Sequence, residues 1–389
     1  MPSRDDGAAD ADPVNTLVAA LNHPEGVLAL RPRQLGVLVS QARQARLLAA
    51  LRVHLDRAGV LAKLPAEVSR HMDSALLAQA KQARDLRYEL GRLREALTPA
   101  GLSPILLKGA AYIIGDIPAG QGRIISDIDL LVPRESIPKA ESALAAVGWV
   151  AAKLDDYDEE YYRRWMHEIP PMVHAGRGSV IDLHHTILPP TAAPRVNAGR
   201  LFEALQPTPM DGVFALSPCD QIIHSATHLF HESEFHHALR DLWDLHQLLC
   251  ALAATHGDGA DTAGDTPHGG EANRDVWTAL QARAVELDLA APCYLALRYA
   301  ARVFKTPVPA HTLSGLRFAP GRVRGLLWDS LFLRGAFSVD YPGERPAGRS
   351  FALWLLFVRG HFLRMPLRLL VPHLLRKAWR RQQGDRAGT

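Results

Sequence analysis

Leu107-Lys108-Gly109-Ala110-Ala111 and, a little further on, Gly122-Arg123-Ile124-Ile125-Ser126-Asp127-Ile128-Asp129-Leu130-Leu131-Val132 are the stretches whose reading decides the fold. In an extended strand residues i and i+2 face the same way, so Asp127 and Asp129 present two carboxylates from one side while Ile128, Leu130 and Val132 pack against the other. Two acids aimed together repel. A divalent cation relieves that repulsion, and a pair of Mg²⁺ ions about 4 Å apart is the usual device for aligning a nucleophile with a triphosphate. An isolated Asp-x-Asp can equally solvate a strand end, so its neighbours decide. Lys108-Gly109 follows a short apolar run and precedes Ala110-Ala111-Tyr112-Ile113-Ile114, which reads as a strand entering a helix through a glycine turn. Such a junction suits phosphate: glycine lets the backbone approach, free N–H groups favour an anion, and lysine adds a mobile charge. The competing reading is a tight turn beside a surface lysine.

Outward from this segment the register is that of a small mixed sheet. Ile105-Leu106-Leu107, Ile128 to Val132, Trp149-Val150, Met172-Val173 and Val180-Ile181 are short apolar runs separated by turn residues, and Arg134 to Val147 carries Ile137, Ala140, Leu144 and Val147 on one helical face. Ala175-Gly176-Arg177-Gly178 predicts an antiparallel hairpin. Residues 1–100 read as an N-terminal helical region, with periodic Leu47-Leu48-Leu51-Val53-Leu55 and Leu86-Leu90-Leu93-Leu97. Residues 101–190 form the α/β (α+β) core, and 191–340 a second helical region. There Ser217-Pro218 opens a long periodic stretch through Leu249, a loop or linker occupies 256–274, and more helix runs to about Phe304. Residues 341–389 are a basic, aromatic tail.

The predicted hairpin carries Asp182 and His184 on one face, opposite apolar Ile181 and Leu183. An acid in such a strand is costly to bury unless paired or metal-bound, though an exposed edge would also tolerate it. Together, Leu107 to Ala111, Gly122-Arg123 before Ser126 to Val132, and Ile181-Asp182-Leu183-His184 resemble the uncharacterised nucleotidyltransferase family of the DNA polymerase β-like superfamily. Leu239-Arg240-Asp241-Leu242 to Asp244-Leu245 looks like its helical continuation. The resemblance implies a mixed sheet whose acids Asp127, Asp129 and Asp182 bind Mg²⁺, two ions in all, which carry a nucleoside triphosphate such as ATP. It implies catalytic roles for those three acids, Asp182 as general base, and nucleotide-binding roles for Lys108, Gly109, Arg123, Ser126 and His184. Arg123 could neutralise phosphate or simply pair with an acid, and His184 could orient Asp182, contact the acceptor or be structural. The implied reaction is transfer of a nucleoside monophosphate to a hydroxyl of an unidentified acceptor. A non-catalytic membrane-peripheral adaptor that keeps the fold, and an Asp-x-Asp glycosyltransferase, are the alternatives.

The rest of the chain sets bounds. With 389 residues, 48% hydrophobic and 22% charged, it can bury a sizeable core, and a net charge of +3 points to no nucleic-acid partner. Cys219, Cys250 and Cys293 are far apart and lack Cys-x-x-Cys spacing, which fits a reducing cytoplasm. A polar start, Met1-Pro2-Ser3-Arg4, predicts no secretory signal, and no run of about 18 apolar residues predicts a spanning helix. His224 and His228 stand one helical turn apart and could share zinc, yet without a His-Glu-x-x-His arrangement a helical wall is the better reading. Arg240, Asp241 and Asp244 read as an ion-pair network rather than the back of a nucleotide pocket. In the tail, Arg345, Arg349, Arg359, Arg364, Arg368, Arg376, Lys377, Arg380 and Arg381 alternate with Phe351, Trp354, Phe357, Phe362 and Trp379, which suits either peripheral membrane contact or packing on the core.

Overall fold

The architecture comes from a computed structural model, which describes residues 16–152, 156–254, 269–316, 318, 320–340, 346–365, 368 and 370. Seven strands form one mixed sheet: β1 (Ile105–Leu106), β2 (Ile128–Leu131), β3 (Trp149–Ala151), β4 (Met172–His174), β5 (Val180–His184), β6 (Gln206–Pro207) and β7 (Phe214–Ala215), in the order β3-β4-β5-β2-β1-β7-β6. β2 and β5 are parallel neighbours, and β4 is antiparallel to both β3 and β5. The hairpin is therefore slotted between β2 and the edge strand β3. The chain reaches β3 by a crossover through the helix Ile137–Ala145, whose Ile137, Ala140 and Leu144 are buried. A crossover of this kind is what a parallel relation between strands requires.

The small α/β core with helical flanks matches the sequence expectation. Leu86, Leu90, Leu93 and Leu97 are all buried on the helix Ala66–Leu97, as their spacing of three and four demands. Two features differ. The periodic stretch after Ser217 is two helices, Pro218–His231 and Ala238–Ala254, since Glu232 leaves the helical region at ψ 152°. Ser217 does cap the first, its Oγ accepting from the Asp220 N–H at 3.2 Å. Of the loop expected at 256–274, residues 256–268 lie outside the described residues, and 269–274 already belong to the helix Gly269–Glu286.

Of the tail, residues 341–345, 366–367, 369 and 371–389 lie outside the described residues, among them Arg345, Arg376, Lys377, Trp379, Arg380 and Arg381. The helix Arg349–Arg364 packs on Pro218–His231: Leu356 is fully buried, Arg359 Nη1 donates to the Phe230 carbonyl at 2.8 Å, and Arg364 pairs with Glu232. Among the described residues no helix is long and apolar enough to cross a membrane.

Candidate functional site

The parallel pairing of β2 with β5 sets Asp129 opposite Asp182, so both carboxylates leave the sheet on one face. Ile181 and Leu183, fully buried, fill the other. Asp127 lies in the bend leading into β2 and acts electrostatically on Asp182 together with Asp129. The two paired acids are in opposite states. At Asp129, which is 6% exposed, Oδ1 accepts from Lys108 Nζ at 2.9 Å and lies 2.8 Å from His184 Nε2. Burial would raise its pKa, but the Lys108 ammonium and the His184 hydrogen bond overcome that and hold the carboxyl well below the usual range. Among the described residues no lysine or arginine pairs with Asp182. Its Oδ1 is buried without a hydrogen-bond partner, and burial, aided by Glu168, Asp129 and Asp127, pushes its pKa up to about 7.

Lys108 is the first residue of the helix Lys108–Ile114 and sits at φ +46°, a left-handed conformation uncommon for a residue with a Cβ. Burial opposes its charge, yet the carboxylates of Asp129 and Glu168 outweigh that and raise its pKa above the ordinary lysine value. Its ammonium is thus committed to Asp129. Gly109 is buried, and a Cβ there would come within 2.7 Å of Ile125 Cγ2 and 3.4 Å of Arg123 Cζ, so close packing is what demands glycine. Arg123 turns inward: its Nε donates to Asp244 Oδ2 at 2.7 Å and its Nη2 lies 4.0 Å from Asp241 Oδ1. The network among Arg240, Asp241 and Asp244 exists and takes in Arg123, with Arg240 bonded to Asp241 at 2.6 Å. Ser126 is exposed and lines a cleft of about 550 Å³ with Arg43, Arg46, His71 and Gln82.

The expected residues therefore divide. Lys108, Asp127, Asp129, Asp182 and His184 converge. Gly109 and Arg123 belong to the packing beneath, and Ser126 opens onto a neighbouring basic cleft.

Two groups joined to this centre escape the sequence reading. His167 and Glu168 lie on an extended segment pinned along the end of β5, where Ile169 N–H donates to the Leu183 carbonyl at 3.0 Å and His185 N–H to the His167 carbonyl at 2.9 Å. Glu168 Oε2 is 3.4 Å from His184 Nε2 and 3.6 Å from His167 Nε2. His224 and His228 form the wall expected of them, but a wall of this site: burial first, then the nearby Lys108 ammonium, depress both imidazoles far below the usual histidine value. The missed signal was a polar His-Glu pair immediately ahead of Ile169-Pro170-Pro171, where the chain was about to enter the sheet.

A protein-family model described as an uncharacterised nucleotidyltransferase matches residues 32–261, more than half of the chain. No curated protein and no solved structure matches it.

Proposed function

The chain belongs to the uncharacterised nucleotidyltransferase family, and from that premise we propose that it transfers a nucleoside monophosphate from a triphosphate to a hydroxyl of an acceptor, with Mg²⁺. The observation that carries this reading is the same-face pairing of Asp129 with Asp182, with Asp127 alongside. The donors fit the ion: three carboxylates offer the hard oxygen ligands that Mg²⁺ prefers, and Asp182 Oδ1 is a buried oxygen in need of a partner. Asp127, Asp129 and Asp182 would hold it; when bound, Mg²⁺ supplies charge neutralisation for the phosphoryl oxygens.

The chain's own groups divide the remaining work. The acceptor oxygen bonds to the α-phosphorus, the bridge to the β-phosphate breaks, and pyrophosphate leaves. The hydroxyl proton goes to Asp182, the one of the paired acids whose oxygens Lys108 does not hold. Lys108 and His184 keep Asp129 ionised and oriented. Arg43 and Arg46, with no ion pair to an acid among the described residues, offer a grip for the triphosphate in the cleft beside Ser126. Asp129→Asn should reduce Mg²⁺-dependent pyrophosphate release from labelled triphosphates to background; undiminished release would remove these acids from the reaction.

The outer face of the helix Arg349–Arg364 favours an added role. Ala352, Leu356 and Gly360 are buried, whereas Phe351, Trp354, Phe357 and Phe362 are exposed. An aromatic face beside a run of arginines in sequence suits an anionic bilayer surface, so we read peripheral membrane contact here. Phe351→Ser with Trp354→Ser should abolish flotation with anionic liposomes, and equal flotation of variant and parent would end that reading.

A further inference from the structure

Beside the carboxylates lies a second set of donors of different chemistry. Nε2 of His167, Nε2 of His184 and Oε2 of Glu168 come together, with ligand atoms all within 4.8 Å of one another. Zinc bound by nitrogen and oxygen at about 2.1 Å in tetrahedral geometry holds neighbouring donors about 3.4 Å apart. The Glu168 oxygen stands 3.4 Å from one imidazole nitrogen and 3.6 Å from the other.

His167 and Glu168 stand close without a hydrogen bond between them. The His167 side chain is 10% exposed, its Nδ1 is buried with no hydrogen-bond partner, and its Nε2 faces Glu168 beyond hydrogen-bond length. The positions are also fixed in advance. β5 supplies His184, and the backbone bonds of the 167–169 segment to β5 hold His167 and Glu168 in place before any ion arrives. Two imidazoles and one carboxylate form a set that suits zinc and other borderline cations better than Mg²⁺, and three protein ligands leave one coordination position open.

We propose that His167, Glu168 and His184 form a zinc site, separate in ligand chemistry from the carboxylate group around Asp129 and Asp182. Glu168, 21% exposed, is the rim through which the ion enters. Zinc withdraws His184 Nε2 from Asp129, so loading this site frees an Asp129 oxygen that the imidazole otherwise occupies.

The full chain, stripped with chelator, should take up one equivalent of Zn²⁺ in competition with a chromophoric indicator and retain it in excess Mg²⁺. Even outer-shell partners of a metal cost 10–100-fold, so His167→Gln and Glu168→Gln should each weaken uptake by about 100-fold or more. His236→Gln, at an imidazole 79% exposed and away from the cluster, should leave it unchanged. Zn²⁺ should raise the melting temperature of the parent and not of the two ligand variants, which also reports whether those variants fold. Failure to bind an equivalent, or equal affinity in the ligand variants and the parent, would overturn the proposal. Binding is read without turnover: a chain that holds zinc but transfers no nucleotide retains this site and loses the transferase reading, and the converse outcome does the reverse.

Discussion

Asp129 and Asp182 occupy partner positions on adjacent strands, share a face, and differ in their partners: a cation and an imidazole for one, neither within hydrogen-bond reach for the other. Asp129 has Lys108 at 2.9 Å and is held ionised; Asp182 is pushed up to about 7 by burial and, after it, by acidic neighbours. The difference shows that sheet register delivers side chains to a place but does not set their charge. That is set by burial and by what the flanking elements bring: a lysine from the strand-to-helix junction to one acid, and to the other, already raised by burial, a glutamate from the 167–169 segment.

The comparison breaks most severely at Lys108. Replacing it by Met strands a buried carboxylate, which should cost about 3–5 kcal/mol in denaturant unfolding at neutral pH. Part of that loss should return as pH falls and Asp129 takes up a proton. Asp182→Asn should act in the opposite sense. Its folded pKa lies above the unfolded value of 3.8, so between about pH 4 and pH 7 the native state binds more protons than the unfolded one, and stability falls as pH rises through that window. Asparagine removes the dependence. In chelator the variant should match the parent near pH 4 and exceed it by on the order of 2–4 kcal/mol above pH 7, measured by thermal unfolding across pH. At the small end stands Arg163, paired with Glu141 at 2.9 Å with side chains 41% and 21% exposed. Arg163→Ala should cost less than about 1 kcal/mol by the same measurement, because solvent screens both partners.

Much of this was legible in sequence because the physical signal was local. Asp127-Ile128-Asp129 and Ile181-Asp182-Leu183-His184 alternate with the period of a strand, and Gly176-Arg177-Gly178 marks the hairpin turn that follows β4. β6 and β7 are two residues each, too short for any period to register. The helix Asp156–Trp165 is nearly all charged and aromatic, so no apolar stripe announced it. Gly109 stands out at a strand-to-helix junction and Arg123 as a cation ahead of the acids, but their meaning depends on partners distant in sequence: Ile125 above one and Asp244, on the helix Ala238–Ala254, beside the other. His167 and Glu168 became part of the centre only through backbone pairing to β5.

The parallel pairing of β2 with β5 has a consequence for how the molecule is made. Residue 129 meets residue 182 only after the crossover helix, the edge strand and the whole hairpin have been synthesised and have doubled back. A nascent chain that ends before β5 holds Asp127 and Asp129 with no opposite acid and no His184. Pairing so remote is slow to form, and partly folded chains expose an open strand flank while they wait. The acidic centre therefore cannot exist until close to half of the chain has been made, and a ribosome-stalled fragment ending near residue 170 would hold Lys108, Asp127 and Asp129 without Asp182 or His184.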